Sequence, residues 1–212
     1  MEKYDIIVVG ASTTGAWFAR QMAKRGHSVL VIEKNEKENV SREYDIFHMP
    51  KKEMERSFLE IPKEGDKEFG FTFDGSPMLS PYGNYPKKTV PDTIVGLHKH
   101  DYIMLMSDYA EKAGAKFIYG ASFTDFVKDE WGRVAGAKYK TAEGEFEAEA
   151  KLVADCSGIP AVARTKPNLP EKVLLFSAIK TPFSLFYIFS RYFLRAYLKI
   201  IYAKQIKAKM PM

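Results

Sequence analysis

The sequence predicts an α/β fold, a parallel sheet backed by helices and extended by antiparallel strands, and three observations predict it. A β-branched run, Ile6 to Val9, stops at Gly10; a second apolar run, Ser28 to Ile32, follows one helix later; and from residue 67 onward short apolar segments alternate with glycine and proline turns. A strand buried on both faces is apolar throughout, the pattern of a parallel sheet. The chain has 212 residues, enough for one or two compact domains. Its 46% hydrophobic and 28% charged content excludes a disordered or low-complexity chain. A single cysteine, Cys156, cannot form an internal disulfide, and four histidines leave a Cys/His zinc cluster short of ligands. The expected compartment is the reducing cytoplasm.

The first apolar run is four residues long, too short for the core of a signal peptide. It feeds a glycine turn, Gly10 to Ala16, and then a helix on which Ala16, Ala19 and Ala23 recur at helical spacing, so that small side chains let it lie close on the sheet. Gly26, after Lys24 and Arg25, is a helix stop with cations at the negative end of the dipole. The second strand ends at Glu33, 18 residues after Gly15. Strand, glycine turn, helix, strand and acid form the dinucleotide-binding βαβ unit of a Rossmann-like fold. Gly10 permits the tight turn, Gly15 lets helix and strand approach, and free amides at the helix start receive a pyrophosphate. Glu33 accepts from a ribose hydroxyl and repels a 2′-phosphate. The middle glycine of the fingerprint is Ser12, whose hydroxyl is a candidate phosphate donor. Candidate cofactor contacts in this unit are Gly10, Ser12, Thr13, Thr14, Gly15, Glu33 and Lys34. The competing reading is a glycine turn that holds no ligand.

Residues 34–66 are charged around one apolar segment, Tyr44 to His48, and residues 67–97 read as an antiparallel insertion offering a sheet to the substrate. Asp101 is expected to cap a helix with apolar positions Ile103, Met106, Ala110 and Ala113, stopped by Gly114. His98 and His100 are expected to alternate onto one strand face, more plausibly as a surface pair than as metal ligands. A three-strand meander follows, Lys116 to Val127, Arg133 to Tyr139 and Glu145 to Lys151. A last buried strand, Leu152 to Ala154, runs into Asp155-Cys156-Ser157-Gly158, with Pro160 opening a short helix. Cys156 has no histidine placed beside it and reads as a small packed residue.

The order GASTTGA, VLVIEK, a helix ending EKAGA, a meander and LVADCSGIPAVAR, over roughly residues 4 to 164, resembles the FAD-dependent oxidoreductases of the geranylgeranyl reductase and aromatic hydroxylase superfamily. The resemblance implies FAD bound in extended form, with adenosine ribose on Glu33, pyrophosphate at the Gly10 to Gly15 turn and a second contact at Asp155 and Gly158. It implies a cation at Lys99, where the family carries an arginine, an adenine-side role for Phe123 and a structural role for Arg164. The expected architecture is a Rossmann-like FAD-binding domain over residues 1–34 and 98–165, a partial substrate-domain insertion over 35–97, and a helical tail over 171–212. The expected function is FAD-dependent reduction of a hydrophobic, isoprenoid or lipid substrate, with NAD(P)H as a candidate electron donor. Alternatives are a flavin-dependent aromatic monooxygenase and a truncated, non-catalytic, membrane-associated relative. The latter follows from the family's third motif, a late Gly-Asp, which has no counterpart here because no glycine follows Gly158.

Net positive charge is concentrated at the end of the chain. Residues 171–212 hold eight Lys/Arg against one acid, leaving 24 basic and 26 acidic residues for the rest, so the body gives no case for nucleic-acid binding. Arg191, Arg195 and Lys199 recur every fourth residue on an otherwise apolar segment. The longest uncharged run of this tail, Thr181 to Ser190, has ten residues and cannot span a bilayer. An amphipathic helix over 183–207 facing an anionic membrane surface, or packed as a terminal element, is expected.

Overall fold

The computed structural model describes residues 1–41, 46–74 and 92–166. The sequence expectations at Tyr44 and Asp45, in the 75–91 segment and in the tail, including its amphipathic helix, lie outside the described residues.

Six strands form the main sheet, in the order β6-β2-β1-β9-β8-β7. β1 (Glu2–Val9) lies at its centre, parallel to β2 (Val29–Ile32) on one side and to β9 (Gly144–Asp155) on the other; β6 (Lys116–Ile118) extends the parallel part beyond β2. β8 (Val134–Thr141) and β7 (Ser122–Lys128) continue antiparallel from β9. The alternating side chains of β1 serve two cores. Ile6 and Val8 pack with Val29, Val31 and the alanines Ala19 and Ala23 of α1 (Thr13–Ala23), together with Ile103 and Ala110 of α3 (Lys99–Lys112). Ile7 on the other face packs with Leu30, Ile32 and the meander residues Ala137, Tyr139 and Ala148. Helices therefore cover one face and the meander the other.

The expected strand from Lys116 to Val127 is two strands. Gly120, at φ +65°, breaks it, and the first piece is recruited by β2 while the second joins the meander. Conversely, the expected strands Glu145 to Lys151 and Leu152 to Ala154 are one twelve-residue strand, β9, charged where it borders β8 and half-buried where it passes beside β1. After Asp155 the chain makes turns, and no helix opens at Pro160.

The insertion is a three-stranded antiparallel sheet, β3-β5-β4, from β3 (Ile46–Pro50), β4 (Phe69–Asp74) and β5 (Thr93–His98), with a short helix α2 (Lys51–Arg56) after β3. Its inner face, Val95, Leu97, Phe47 and Met49, packs on Ala16 of α1, Met54 of α2 and Tyr102 and Met106 of α3. Asp101 is not the cap of α3. The helix starts three residues earlier than that cap would place it, with His98 at the N-cap, and Asp101 sits in the first turn opposite Lys67 at 3.7 Å. His98 and His100 consequently do not share a strand face; His100 is helical and its Nδ1 lies 3.2 Å from the Val40 carbonyl oxygen.

Candidate functional site

Two turns meet at the carboxyl ends of β1 and β9, where open α/β sheets receive ligands. The first is the Gly10 turn. Gly10 has φ +99°, and a Cβ there would lie 2.7 Å from the carbonyl oxygen of Cys156; one on Gly15 would lie 1.8 Å from the carbonyl oxygen of Gly10. Neither position accepts a side chain. The Gly10 amide donates to the Ile32 carbonyl at 2.8 Å, and the Cys156 amide donates to the Val9 carbonyl at 2.8 Å, so the first turn is tied to the end of β2 and the second to the end of β1.

Ser12 is the N-cap residue of α1, in extended backbone, and its side chain makes no capping hydrogen bond. The first helical bond runs from the Ala16 amide to the Ser12 carbonyl at 2.9 Å. The amides of Thr13, Thr14 and Gly15 therefore face outward without a helical acceptor, and no acidic side chain stands in this first turn. Such an end attracts an anion.

Glu33 is 5% exposed and holds the turn in shape: Oε2 accepts from the Ala11 amide at 2.8 Å and Oε1 from the Asn35 amide at 2.9 Å. One acceptor position remains on each oxygen, enough for ribose hydroxyls. Lys34 beside it is exposed. Glu33 is braced from the far side of β2: its amide donates to the Ile118 carbonyl at the end of β6 at 2.9 Å, and its carbonyl accepts from the Ala121 amide, in the turn after β6, at 2.8 Å.

At the second turn the Asp155 carboxylate is fully occupied. Oδ1 accepts from the Ser157 amide and hydroxyl at 2.9 and 2.6 Å, and Oδ2 from the amides of Ala163 and Arg164 at 3.0 and 2.7 Å. Four donors fill a carboxylate's acceptor capacity, so Asp155 builds the turn. Gly158, at φ +77°, is exposed in this turn, and a Cβ built on it would meet nothing within 4 Å. Cys156 lies between the turns, where burial, reinforced by the Asp155 charge, pushes its thiol up to about 12. A thiol held protonated is not a nucleophile.

Lys99 is the first residue of α3, and Phe123 is half-buried on β7, edge-to-face with Phe126 at 5.1 Å and packed on the Ile7 and Leu30 core. Sequence reasoning missed the bracing behind α1. Arg20, 5% exposed, bridges both carboxylate oxygens of Glu60 and stacks 4.8 Å over the Tyr109 ring, while the Trp17 indole donates to the Ser57 carbonyl at 3.0 Å. An acid 40 residues away leaves no local signal. Among the described residues, no group of three His, Cys, Asp or Glu stands together, and no helix is long and apolar enough to cross a membrane.

An uncapped helix start, a closely packed glycine turn and an acid with spare acceptors fit the ADP half of FAD. Comparison with known proteins agrees: the family described as FAD binding domain matches residues 3–179. The chain belongs to the FAD-binding domain family. Its cofactor is FAD. This FAD-binding domain is 26% identical over 171 residues to digeranylgeranylglycerophospholipid reductase of Methanosarcina acetivorans, covering 74% of this chain and 38% of that protein. It is 25% identical over 177 residues to FixC of Azorhizobium caulinodans, covering 81% and 40%. Among solved structures, a geranylgeranyl bacteriochlorophyll reductase-like protein from Thermoplasma acidophilum superposes with a TM-score of 0.68 at 22% identity, covering 82% of this chain and 44% of that one. Aklavinone-11 hydroxylase in complex with FAD and aklavinone shares the fold at a TM-score of 0.54 and 18% identity, covering 72% and 32%. The chain thus spans about two fifths of the length of the curated relatives it matches.

Proposed function

We propose that this FAD-binding domain serves an oxidoreductase acting on a hydrophobic, isoprenoid or lipid substrate. The observation that carries the reading is the meeting of the two turns at Gly10 and Cys156, beside an uncapped helix start and the spare acceptor positions of Glu33. Bound FAD supplies hydride or electron-pair transfer; the chain supplies binding and orientation. The α1 amides offset the pyrophosphate charge, Glu33 fixes the ribose, and Asp155 sets the shape of the second turn.

On the substrate side, the name of the relative in Methanosarcina points to a prenylated lipid. An open depression of about 510 Å³ on the insertion offers such a ligand a mixed surface, apolar at Ile61 and Phe69 and charged at Lys51, Lys63 and Glu64. Peripheral contact with an anionic membrane through residues 183–207 is part of the same proposal and rests on the spacing of Arg191, Arg195 and Lys199.

The test is cofactor retention followed by turnover. Purified protein should bind FAD, and Glu33→Ala should weaken binding roughly tenfold, the value of about one charge-assisted hydrogen bond. NAD(P)H should reduce the bound flavin under anaerobic conditions, and a prenylated lipid should reoxidise it. Absence of FAD binding sinks the whole reading. Reoxidation only by oxygen with a phenolic substrate would replace the lipid reductase with a hydroxylase.

A further inference from the structure

We propose that Arg20 is a positioning residue that makes one wall of the depression on the insertion depend on the cofactor helix, a role that rests on the FAD reading above and deepens it. FAD bound at the start of α1 then sets the surface offered to the second ligand before that ligand arrives.

α1 serves two neighbours. Ala19 and Ala23 pack into the core against the main sheet, while Ala16 is fully buried in the core of the insertion with Met54, Val95 and Leu97. The Ala16 amide also closes the first helical bond, so the turn that would receive the pyrophosphate is itself part of the insertion's packing. Behind that turn, three side chains hold one stretch of the insertion. The Trp17 indole donates to the Ser57 carbonyl at 3.0 Å, the Arg20 guanidinium bridges both carboxylate oxygens of Glu60, and the Tyr102 hydroxyl donates to the Glu60 carbonyl at 2.7 Å. Residues 57–66 have no helix or strand of their own. Ile61, Pro62, Lys63 and Glu64, which directly follow the last of these holds, line the depression. The wall is therefore suspended from α1 and α3.

Stability alone does not account for Arg20. An apolar pair would stabilise such a site about as well, and the Arg20 Nε is buried without a hydrogen-bond partner, which costs free energy. What a two-pronged guanidinium supplies is direction. Placed 4.8 Å over the Tyr109 ring and 3.6 Å from the Met106 sulfur, it fixes one orientation of Glu60 relative to α1.

The experiment is hydrogen exchange of the full chain with and without saturating ADP. It is read at the Leu59 and Lys63 amides, which are bonded within the insertion to the Met54 carbonyl and the Asp66 carboxylate, and at the Gly132 amide, in the turn between β7 and β8, as the control for a uniform effect. ADP should slow exchange at Leu59 and Lys63 by about fivefold or more and leave Gly132 unchanged. In Arg20→Met with Glu60→Leu, ADP should still bind, but exchange at Leu59 and Lys63 should no longer respond; Tyr102→Phe, which removes one hold and little volume, should respond less than wild type. An equal response in wild type and the double variant overturns the proposal, as does ADP binding to wild type with no change at the two amides. Should the double variant not fold, an undiminished response in Tyr102→Phe overturns it alone. A wild-type protein that binds neither ADP nor FAD refutes the cofactor reading itself, and this inference with it.

Discussion

Phe58 shows how a single residue can sit against its own conformational preference. It follows α2 at φ +54°, the left-handed position after a helix; its amide donates to the Glu55 carbonyl at 3.1 Å and the Leu59 amide to the Met54 carbonyl at 2.9 Å. Glycine is the usual occupant of that position because a Cβ there is strained by about 1 kcal/mol or more. The Phe58 ring is 75% exposed and contributes little packing in return. Phe58→Gly should therefore raise the melting temperature by about 2–4 °C, read by calorimetry; a fall would show that the ring is buried in solution. The turn residues were readable for a related reason. Gly10, Gly15 and Glu33 act through local backbone chemistry, and each stands where its spacing placed it. Asp155 was readable as a turn residue, but the four donors that occupy it come partly from residues eight and nine positions on, which no short motif records.

At the scale of elements, the insertion is fastened to the cofactor helix by a mostly buried ion pair. Arg20 on α1 holds Glu60, whose carbonyl also accepts from the Tyr102 hydroxyl of α3 at 2.7 Å. Arg20→Ala should destabilise by about 2 kcal/mol, below the roughly 3–5 expected of a fully buried pair because the Glu60 side chain is 34% exposed to water. Replacing both partners, Arg20→Met with Glu60→Leu, should recover most of that loss in urea titrations. A second clasp joins the starts of β1 and β2 to β9. The Lys151 ammonium, followed by the Ser28 amide and hydroxyl, holds the Asp5 carboxyl well below the usual carboxylate range. A depressed folded-state value stabilises above the unfolded-state value near 4 and loses that contribution as pH falls through and below it. The stability gap between wild type and Asp5→Asn should therefore be open at pH 7 and close toward pH 2; a gap that widens in acid contradicts the assignment. Strand boundaries were the least readable feature. The alternation from Lys116 to Val127 looks continuous because its break is a backbone angle at Gly120, and β9 looks like two strands because one end faces solvent and the other the core.

Across the whole molecule, every contact attributed here to Gly10, Ser12, Glu33 and the α1 amides lies on the ADP side of the cofactor. ADP should consequently reproduce most of the thermal stabilisation given by FAD, about 2.7 kcal/mol at a hundredfold excess over Kd, while FMN should give almost none. Equal shifts with FMN would move the binding site elsewhere. The fold class was legible because β1, α1 and β2 are consecutive and their pattern is dictated by burial on both faces; the three-stranded sheet was half legible, since β3 lies in a stretch whose charges mask its pairing with β5.

The pairing of β1 with β9 has a further consequence, one of timing. A strand made of residues 2–9 waits for partners at residues 148–155, and Gly10 for Cys156, so the central contact of the sheet closes over nearly the whole described chain. Long-range closure of this kind is entropically late. During synthesis the glycine turn emerges among the first residues, yet it has no second wall until the ribosome has passed position 156. The two walls of the candidate site therefore cannot meet before Cys156 has been made, whereas the insertion finds its packing partners on α1, α2 and α3 within the first 112 residues.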